Sequence, residues 1–198
     1  MRGLQATGGT AIADNQIVVE TASDPAVNVV RLRALCLGIA VVGFCVDLLV
    51  KNVVLANLDP EHPIPLLGQW VTLQLIRNPG AAFSMGENFT VALTIVAICA
   101  LIAVLGWVVP RIGHVGWSVA IGFLLAGIMG NLSDRLFREP GPFRGHVIDF
   151  IQVRYFAIFN VADMFITAAA VLVIWLSMIT QVSLGGARLK GRAGAADE

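Results

Sequence analysis

Charged residues are scarce in this chain. Only 13% of its 198 residues are Asp, Glu, Lys or Arg, whereas soluble domains contain about 25%. Hydrophobic residues make up 57%, and the mean hydropathy is +0.82. Too few polar side chains remain to cover a water-exposed surface, so the composition predicts a single-domain, multi-spanning membrane protein. The formal net charge is zero, which provides no basic footprint for nucleic acid and excludes that class of partner.

Paired cysteines and metal-ligand spacings are also missing. Cys36, Cys45 and Cys99 each lie within an apolar run, with no CxxC pair and no Cys/His spacing typical of zinc. An HExxH motif is absent as well. We therefore expect the cysteines to pack in the interior, and we expect no zinc site of these types.

Four apolar segments have the length of a membrane span, about 20 residues. They are predicted as helices at 34–56, 89–109, 115–136 and 160–182. The first resembles a signal peptide, because Arg31 and Arg33 precede it, but no small-residue cleavage site follows and the run continues through Asp47 and Lys51. We therefore predict that the first segment is an uncleaved transmembrane helix. The predicted membrane domain covers 31–183, with loops at 57–88 and 137–159 and tails at 1–30 and 184–198.

The orientation of these spans is not decided by counting basic residues. Four spans place both termini on one side, and each side would then hold six Lys or Arg residues near the membrane. Arg31 and Arg33 lie directly before the first span, and long tails are simpler to leave untranslocated. Both observations favour termini in the cytoplasm.

The first loop contains one stretch with the period of a strand. In 70–78, WVTLQLIRN, apolar residues alternate with polar ones, which predicts a short, half-buried strand. Asn78, Pro79 and Gly80 then form a turn. A small sheet here would be able to bind an extended peptide by strand addition, but an ordinary extramembrane loop explains the pattern equally well.

Acidic residues and asparagines converge near one face of the membrane in this topology. Two pairs spaced three residues apart, Asn131 with Asp134 and Asn160 with Asp163, each share a helix face. Asp149 lies in the connection between the third and fourth spans. Because intramembrane acids are costly, such a cluster predicts a functional site.

Asp47 and Lys51 lie four residues apart near the same face, so they share one side of the first helix. They are interpreted either as an interfacial ion pair, with the lysine reaching the headgroups, or as the rim of the site.

Carboxylates and amides are the chemical groups of this cluster. Two carboxylates in a low-dielectric site do not both ionise readily, so one can activate water while the other donates a proton. That arrangement suits aspartic peptide hydrolysis. A proton relay in a transporter uses the same groups. The residues alone therefore support a hydrolase and a transporter about equally.

Five sequence blocks resemble the bacterial lipoprotein signal peptidases, the signal peptidase II family. The resemblance covers the chain from Asp47 to the end of the fourth span and keeps the blocks in order. They are DLLVKNVV (47–54), RNPGAAFSM (77–85), GNLSDRL (130–136), HVIDF (146–150) and FNVADMF (159–165).

The resemblance implies an all-α membrane protein, a four-helix bundle with a small extracytoplasmic β-cradle. It implies an aspartic endopeptidase of the bacterial cytoplasmic membrane, with both termini cytoplasmic and the active site near the outer face. The substrate would be a prolipoprotein with a diacylglyceryl cysteine, cut just before that cysteine without metal or cofactor. Membrane lipid is the other expected partner, and we expect a monomer.

The same resemblance implies a catalytic dyad of Asp149 and Asp163. Supporting or substrate-binding roles would fall to eight further residues: Asp47, Lys51, Asn78, Gly80, Asn131, Asp134, Arg135 and Asn160. Asp134 and Arg135 are expected to pair with each other. The stretch between Asp134 and Asp149 is longer than the family pattern, and it is expected to form an inserted loop.

Overall fold

The structure is a computed structural model that describes residues 29–80 and 87–187. Nearly all of the predicted N-terminal tail, most of the predicted C-terminal tail and the stretch 81–86 lie outside the described residues. The structural findings below therefore concern the membrane domain and the segments attached to it.

Four helices form the membrane domain, and all are long and apolar enough to cross a bilayer. The predicted bundle is confirmed, with starts that differ from the expected ones by up to five residues. Two of the helices end in π-helical turns, at Val104–Val108 and Trp175–Ile179. The helices are α1 (Val29–Asn57), α2 (Glu87–Ala103), α3 (Val115–Phe137) and α4 (Val161–Ile174).

A four-stranded antiparallel sheet lies at one end of the bundle, in the strand order β1-β2-β3-β4. The predicted strand is confirmed as β2, and three further strands pair with it or extend the sheet. The strands are β1 (Ile64–Leu67), β2 (Val71–Asn78), β3 (Val147–Val153) and β4 (Ile158–Phe159). Leu75, Ile148 and Phe150 pack the sheet against Val54 at the end of α1, which fixes the sheet to the helices.

Helix α3 is the centre of the bundle. Within its most apolar window 56% of residues are buried, against 28% or less in the other three spans. It packs mainly against α1 and α4 and also against α2. Small residues on α3 allow these close approaches: at Gly127, an added Cβ would lie 2.5 Å from the carbonyl oxygen of Ala162 in α4. Because lipid tails are as apolar as the helices, such packing contributes much of their association.

Gly130 provides a test of this packing. An alanine Cβ there would lie 2.5 Å from Oδ2 of Asp47 and 2.9 Å from Cβ of Ala162. Overpacking of this kind costs about 1–3 kcal/mol, so we expect Gly130→Ala to lower the thermal unfolding midpoint in detergent. Gly38→Ala is the matched control, because no atom lies within 4 Å of the added Cβ and alanine favours helix by about 1 kcal/mol. A Gly130→Ala midpoint at or above that of the control would contradict the packing.

Candidate active site

Asp149 is carried by β3 and faces the interior of the molecule. It pairs with Ile76 of β2 across the sheet, and its side chain is only 3% exposed. Asn78, at the end of β2, donates an amide N–H to Oδ2 of Asp149 over 2.8 Å. The sheet thus holds one carboxylate beside the C-terminal end of α3 and the N-terminal end of α4.

Asp163 is positioned by the first turn of α4. Asn160 is the N-cap, and its side-chain oxygen accepts the backbone N–H of Asp163 over 3.1 Å. The Asp163 carboxylate in turn accepts the backbone N–H of Asn160 over 3.2 Å. This reciprocal capping box is the reason for the three-residue spacing of Asn and Asp. A helix N-terminus also favours negative charge at this position.

Two asparagine side chains link the carboxylates. Asn160 donates from Nδ2 to Oδ1 of Asp149 over 2.6 Å and to Oδ1 of Asn131 over 3.1 Å. Asn131 donates from its own Nδ2 to Oδ1 of Asp163 over 2.8 Å. Asp149 and Asp163 therefore belong to one hydrogen-bonded cluster built from β3, α3 and α4.

Burial raises the pKa of Asp149 to about 6. The negative charge of Asp163 also raises this pKa, while the hydrogen bonds from Asn78 and Asn160 and the charge of Lys51 lower it. A carboxyl group with such a pKa holds its proton more readily than an ordinary aspartate. The cluster can therefore contain one protonated and one ionised carboxyl group near neutral pH.

Lys51 lies behind this cluster and is completely buried, as is Asp47. Its Nζ is 2.8 Å from Oδ2 of Asp47 and 2.7 Å from Oδ2 of Asp134. It also donates to Oδ1 of Asn131 over 3.3 Å. From the sequence, the Asp47–Lys51 pair was interpreted either as an interfacial ion pair or as the rim of the site. The structure places both side chains inside the protein.

The two carboxylates that pair with Lys51 also fix the backbone beside the site. Asp47 accepts the backbone N–H of Ala162 over 2.8 Å, and Asp134 accepts that of Ile148 over 3.2 Å. These residues directly precede Asp163 and Asp149 in the chain. The ion cluster therefore holds the start of α4 and the strand β3 against α1 and α3.

Among the described residues, Asp134 does not form the expected ion pair with Arg135, although its charge acts on the Arg135 guanidinium. Asp134 makes its ion pairs with Lys51 and with Arg138, whose Nε donates to its Oδ1. Neighbouring helix residues do not face each other, whereas residues four apart do, so spacing would have identified Arg138. Within the described residues, Nη1 of Arg135 is buried without a hydrogen-bond partner.

Gly80 supports the site through Asn78. Its backbone N–H donates to Oδ1 of Asn78 over 2.8 Å, and its φ of 113° is a conformation that favours glycine. The adjacent Pro79 is fixed by Thr90 of α2, whose hydroxyl donates to its carbonyl oxygen over 2.6 Å. Ala81 and Ala82, which follow Gly80 in the same sequence block, lie outside the described residues.

The longer stretch between Asp134 and Asp149 forms a closed loop. Two backbone hydrogen bonds of 3.0 Å close the base of this loop. Gly145 N–H donates to the carbonyl oxygen of Arg135, and His146 N–H donates to that of Glu139. Its tip is fixed to α2, because Thr94 donates to the carbonyl oxygen of Phe143 over 2.9 Å. This loop therefore returns the chain to the end of α3 before β3 begins.

A cavity of about 580 Å³ adjoins Asp163 in the first turn of α4. Its lining is mainly apolar and comes from the β4 region and one face of α4. The residues are Phe156, Phe159, Asp163, Met164, Thr167 and Ala168. The sequence analysis did not identify this cavity, because its lining residues come from two separate elements.

Two solved structures described as bacterial membrane enzymes resemble this fold. One, determined by the in meso method at 1.9 Å resolution, is 26% identical with a TM-score of 0.65 and covers 74% of this chain and 94% of that one. A second, at 2.3 Å resolution, is 25% identical with a TM-score of 0.59 and covers 75% and 89%. The likeness covers about three quarters of the chain and confirms the predicted fold class.

Sequence comparison identifies the family. A lipoprotein signal peptidase of Streptomyces griseus is 44% identical over 79% of this chain and 81% of its own length. Those of Mycobacterium avium and Mycobacterium tuberculosis are 42% and 43% identical over 75% of this chain and 80% and 72% of theirs. The model of the signal peptidase (SPase) II family matches residues 39–179. The chain therefore belongs to the signal peptidase II family, whose members are aspartic peptidases.

Proposed function

We propose that this protein removes signal peptides from prolipoproteins, cutting just before a diacylglyceryl cysteine, with Asp149 and Asp163 as the catalytic dyad. The observation that carries the proposal is the shared hydrogen bonding of the two carboxylates. Asn160 and Asn131 join them across three separate elements. Such an arrangement suits two carboxyl groups that act together on one water molecule.

In the proposed reaction, the two carboxyl groups differ in protonation. Asp149, whose pKa is raised to about 6, begins protonated and donates to the oxygen of the scissile carbonyl. Asp163 begins ionised at the helix N-terminus and takes a proton from the attacking water. The hydroxide adds to the carbonyl carbon. Asp163 then returns its proton to the leaving amine while Asp149 recovers its own, and the C–N bond breaks.

Arg135 and Asn78 are proposed to bind the substrate near the dyad. Nη1 of Arg135 is buried without a partner among the described residues, and the charges of Asp149 and Asp163 act on this guanidinium. A substrate carbonyl would satisfy the free N–H, because buried donors are rarely left unpaired. Asn78 holds Asp149 and ends the strand along which an extended peptide would approach.

The proposed location is the bacterial cytoplasmic membrane, with both termini cytoplasmic and the dyad near the outer face. Four spans place both ends of the membrane domain on one side. All the site residues lie at the opposite ends of the helices, beside the sheet. A signal peptide inserted through the membrane would present its cleavage site at that level. A single chain supplies the whole cluster, which supports a monomer.

The substrate proposal is tested with purified protein in detergent and two forms of one prolipoprotein, with and without the diacylglyceryl group. We expect cleavage of the lipidated form and a kcat/KM at least about tenfold lower for the unlipidated form, a difference of about 1.4 kcal/mol in transition-state binding. Equal cleavage would contradict the lipid requirement. If a folded protein cuts neither form, the peptidase proposal fails.

The pH profile provides a second test of the dyad. Since Asp149 must be protonated and Asp163 ionised, kcat/KM should be bell-shaped, with its alkaline limb near the pKa of about 6. Asn78→Ala removes a hydrogen bond that favours ionised Asp149, so its pKa rises and the alkaline limb moves to higher pH. Asn57→Ala, which loses only an exposed hydrogen bond to Val53, should leave the profile unchanged. A shift to lower pH in Asn78→Ala would contradict the assignment.

A further inference from the structure

The cavity beside Asp163 extends along α4, away from the sheet. Asp163 and Thr167 are four residues apart, and so are Met164 and Ala168, so the four side chains line one face. At about 1.5 Å per residue, Ala168 lies one to two turns further into the membrane than Asp163. The cavity therefore begins at the proposed catalytic carboxylate and continues into the span.

The exposed side of the cavity is framed by aromatic rings. Phe156 and Phe159 pack edge to face, with their centroids 6.5 Å apart. Met164 is 51% exposed, and within a bilayer this exposure is to lipid. Methionine is flexible and fills irregular apolar space. A ligand can thus enter sideways from the membrane without passing through water.

Two parts of a prolipoprotein do not fit this space. A helical segment is about 10 Å across and 30 Å long for 20 residues, which is several times the cavity volume of about 580 Å³. An extended peptide would need hydrogen-bond partners for its backbone, since each unmet group in an apolar medium costs several kcal/mol. Among the described residues, the lining contains only two polar side chains, Asp163 and Thr167.

We propose that this cavity binds an acyl chain of the diacylglyceryl group on the substrate cysteine, and that Ala168 determines how deeply the chain enters. This inference rests on the proposed function. An acyl chain has no polar groups to satisfy, and it is joined to the cysteine beside the scissile bond. A chain held along α4 therefore places that bond at Asp163.

The cavity contributes positioning more than affinity. A chain that moves from the bilayer into the cavity exchanges one apolar environment for another, so little transfer free energy is gained. Fixing the cysteine beside the dyad has a larger effect, since a displacement of about 1 Å can lower the rate about 100-fold. The lipid requirement then follows from geometry, because an unlipidated cysteine lacks this anchor.

The first test compares substrates whose acyl chains differ in length. Ala168→Leu fills the inner part of the cavity, so the ratio of kcat/KM for a dipalmitoylglyceryl substrate to that for a dibutyrylglyceryl substrate should fall about tenfold. Ala170→Leu is the matched control, because Ala170 is exposed on the same helix and does not line the cavity; its ratio should equal that of the wild type. If Ala168→Leu retains the wild-type ratio while the wild type remains active, the cavity assignment is overturned and the peptidase function stands.

The second test does not depend on turnover. The Asp149→Asn variant is mixed with a prolipoprotein carrying a diazirine at the middle of its acyl chain, irradiated, digested and analysed by mass spectrometry. Labels on 164–168 of α4 support the proposal. Labels in the apolar groove of α1, α3 and α4, lined by Ile39, Phe123 and Phe165 among others, or an absence of labelled protein, overturn it.

Discussion

Asp149→Asn and Asp163→Asn are each expected to lower kcat/KM by about 10⁴-fold or more while the protein remains folded and inserted. Catalytic groups that act as a unit give losses of this size when one is removed. Asparagine has nearly the same shape as aspartate, but it can neither accept nor release the transferred proton. In Asp163→Asn, the amide oxygen can still accept the Asn160 backbone N–H of the capping box, so the start of α4 should persist.

The matched control for the dyad is Asp59→Asn. Its carboxylate is 57% exposed and pairs with His62 in the loop after α1, well separated in sequence from the dyad. We expect its kcat/KM to stay within about twofold of the wild type. Initial rates on the lipidated prolipoprotein, with folding checked by size-exclusion chromatography, give the comparison. Full activity in either dyad variant would refute its catalytic role.

Lys51→Met is expected to cause the largest loss of stability. Lys51 is fully buried between Asp47 and Asp134, and removing one partner from a buried ion cluster costs about 3–5 kcal/mol. For a chain of this size that corresponds to a fall in the unfolding midpoint of roughly 10 °C. Differential scanning fluorimetry in detergent would measure it. Activity should fall as well, because Lys51 also fixes Asn131.

The double variant Lys51→Met/Asp47→Asn separates charge from packing. If the cost comes from an unpaired carboxylate, removing that charge should recover part of the lost stability. A double-mutant cycle expresses this recovery as an interaction free energy. Losses that simply add, or a Lys51→Met midpoint equal to that of the wild type, would contradict the proposed ion cluster.

The spans and β2 were predictable because each has a simple pattern. Long apolar runs identify membrane helices, and the alternation in 70–78 identifies a strand. Strand β3 has no such alternation: Val147, Ile148, Asp149 and Phe150 are all buried, since this part of the strand is enclosed on both faces. The sequence therefore placed Asp149 in the connection between the third and fourth spans without identifying a strand there.

The cluster of acids at one end of the bundle was also predictable, from topology and helical spacing. The partners within it were not, because pairing depends on how α1 and α4 pack on α3. Lys51 was interpreted as an interfacial residue or as part of the rim of the site. It is enclosed instead, because small residues such as Gly130 let α1 approach closely. The cavity along α4 depends on Phe156 and Phe159 folding back over that helix, which periodicity does not reveal.

The central claim is that this protein cuts a prolipoprotein at the bond before its lipidated cysteine, using Asp149 and Asp163. The most direct test is the intact mass of both products after purified wild-type protein acts on a diacylglyceryl prolipoprotein, with Asp163→Asn in parallel. The account predicts a released signal peptide that ends at the residue before the cysteine, and no products from the variant. Cleavage at another bond, or the same products from the variant, would contradict it.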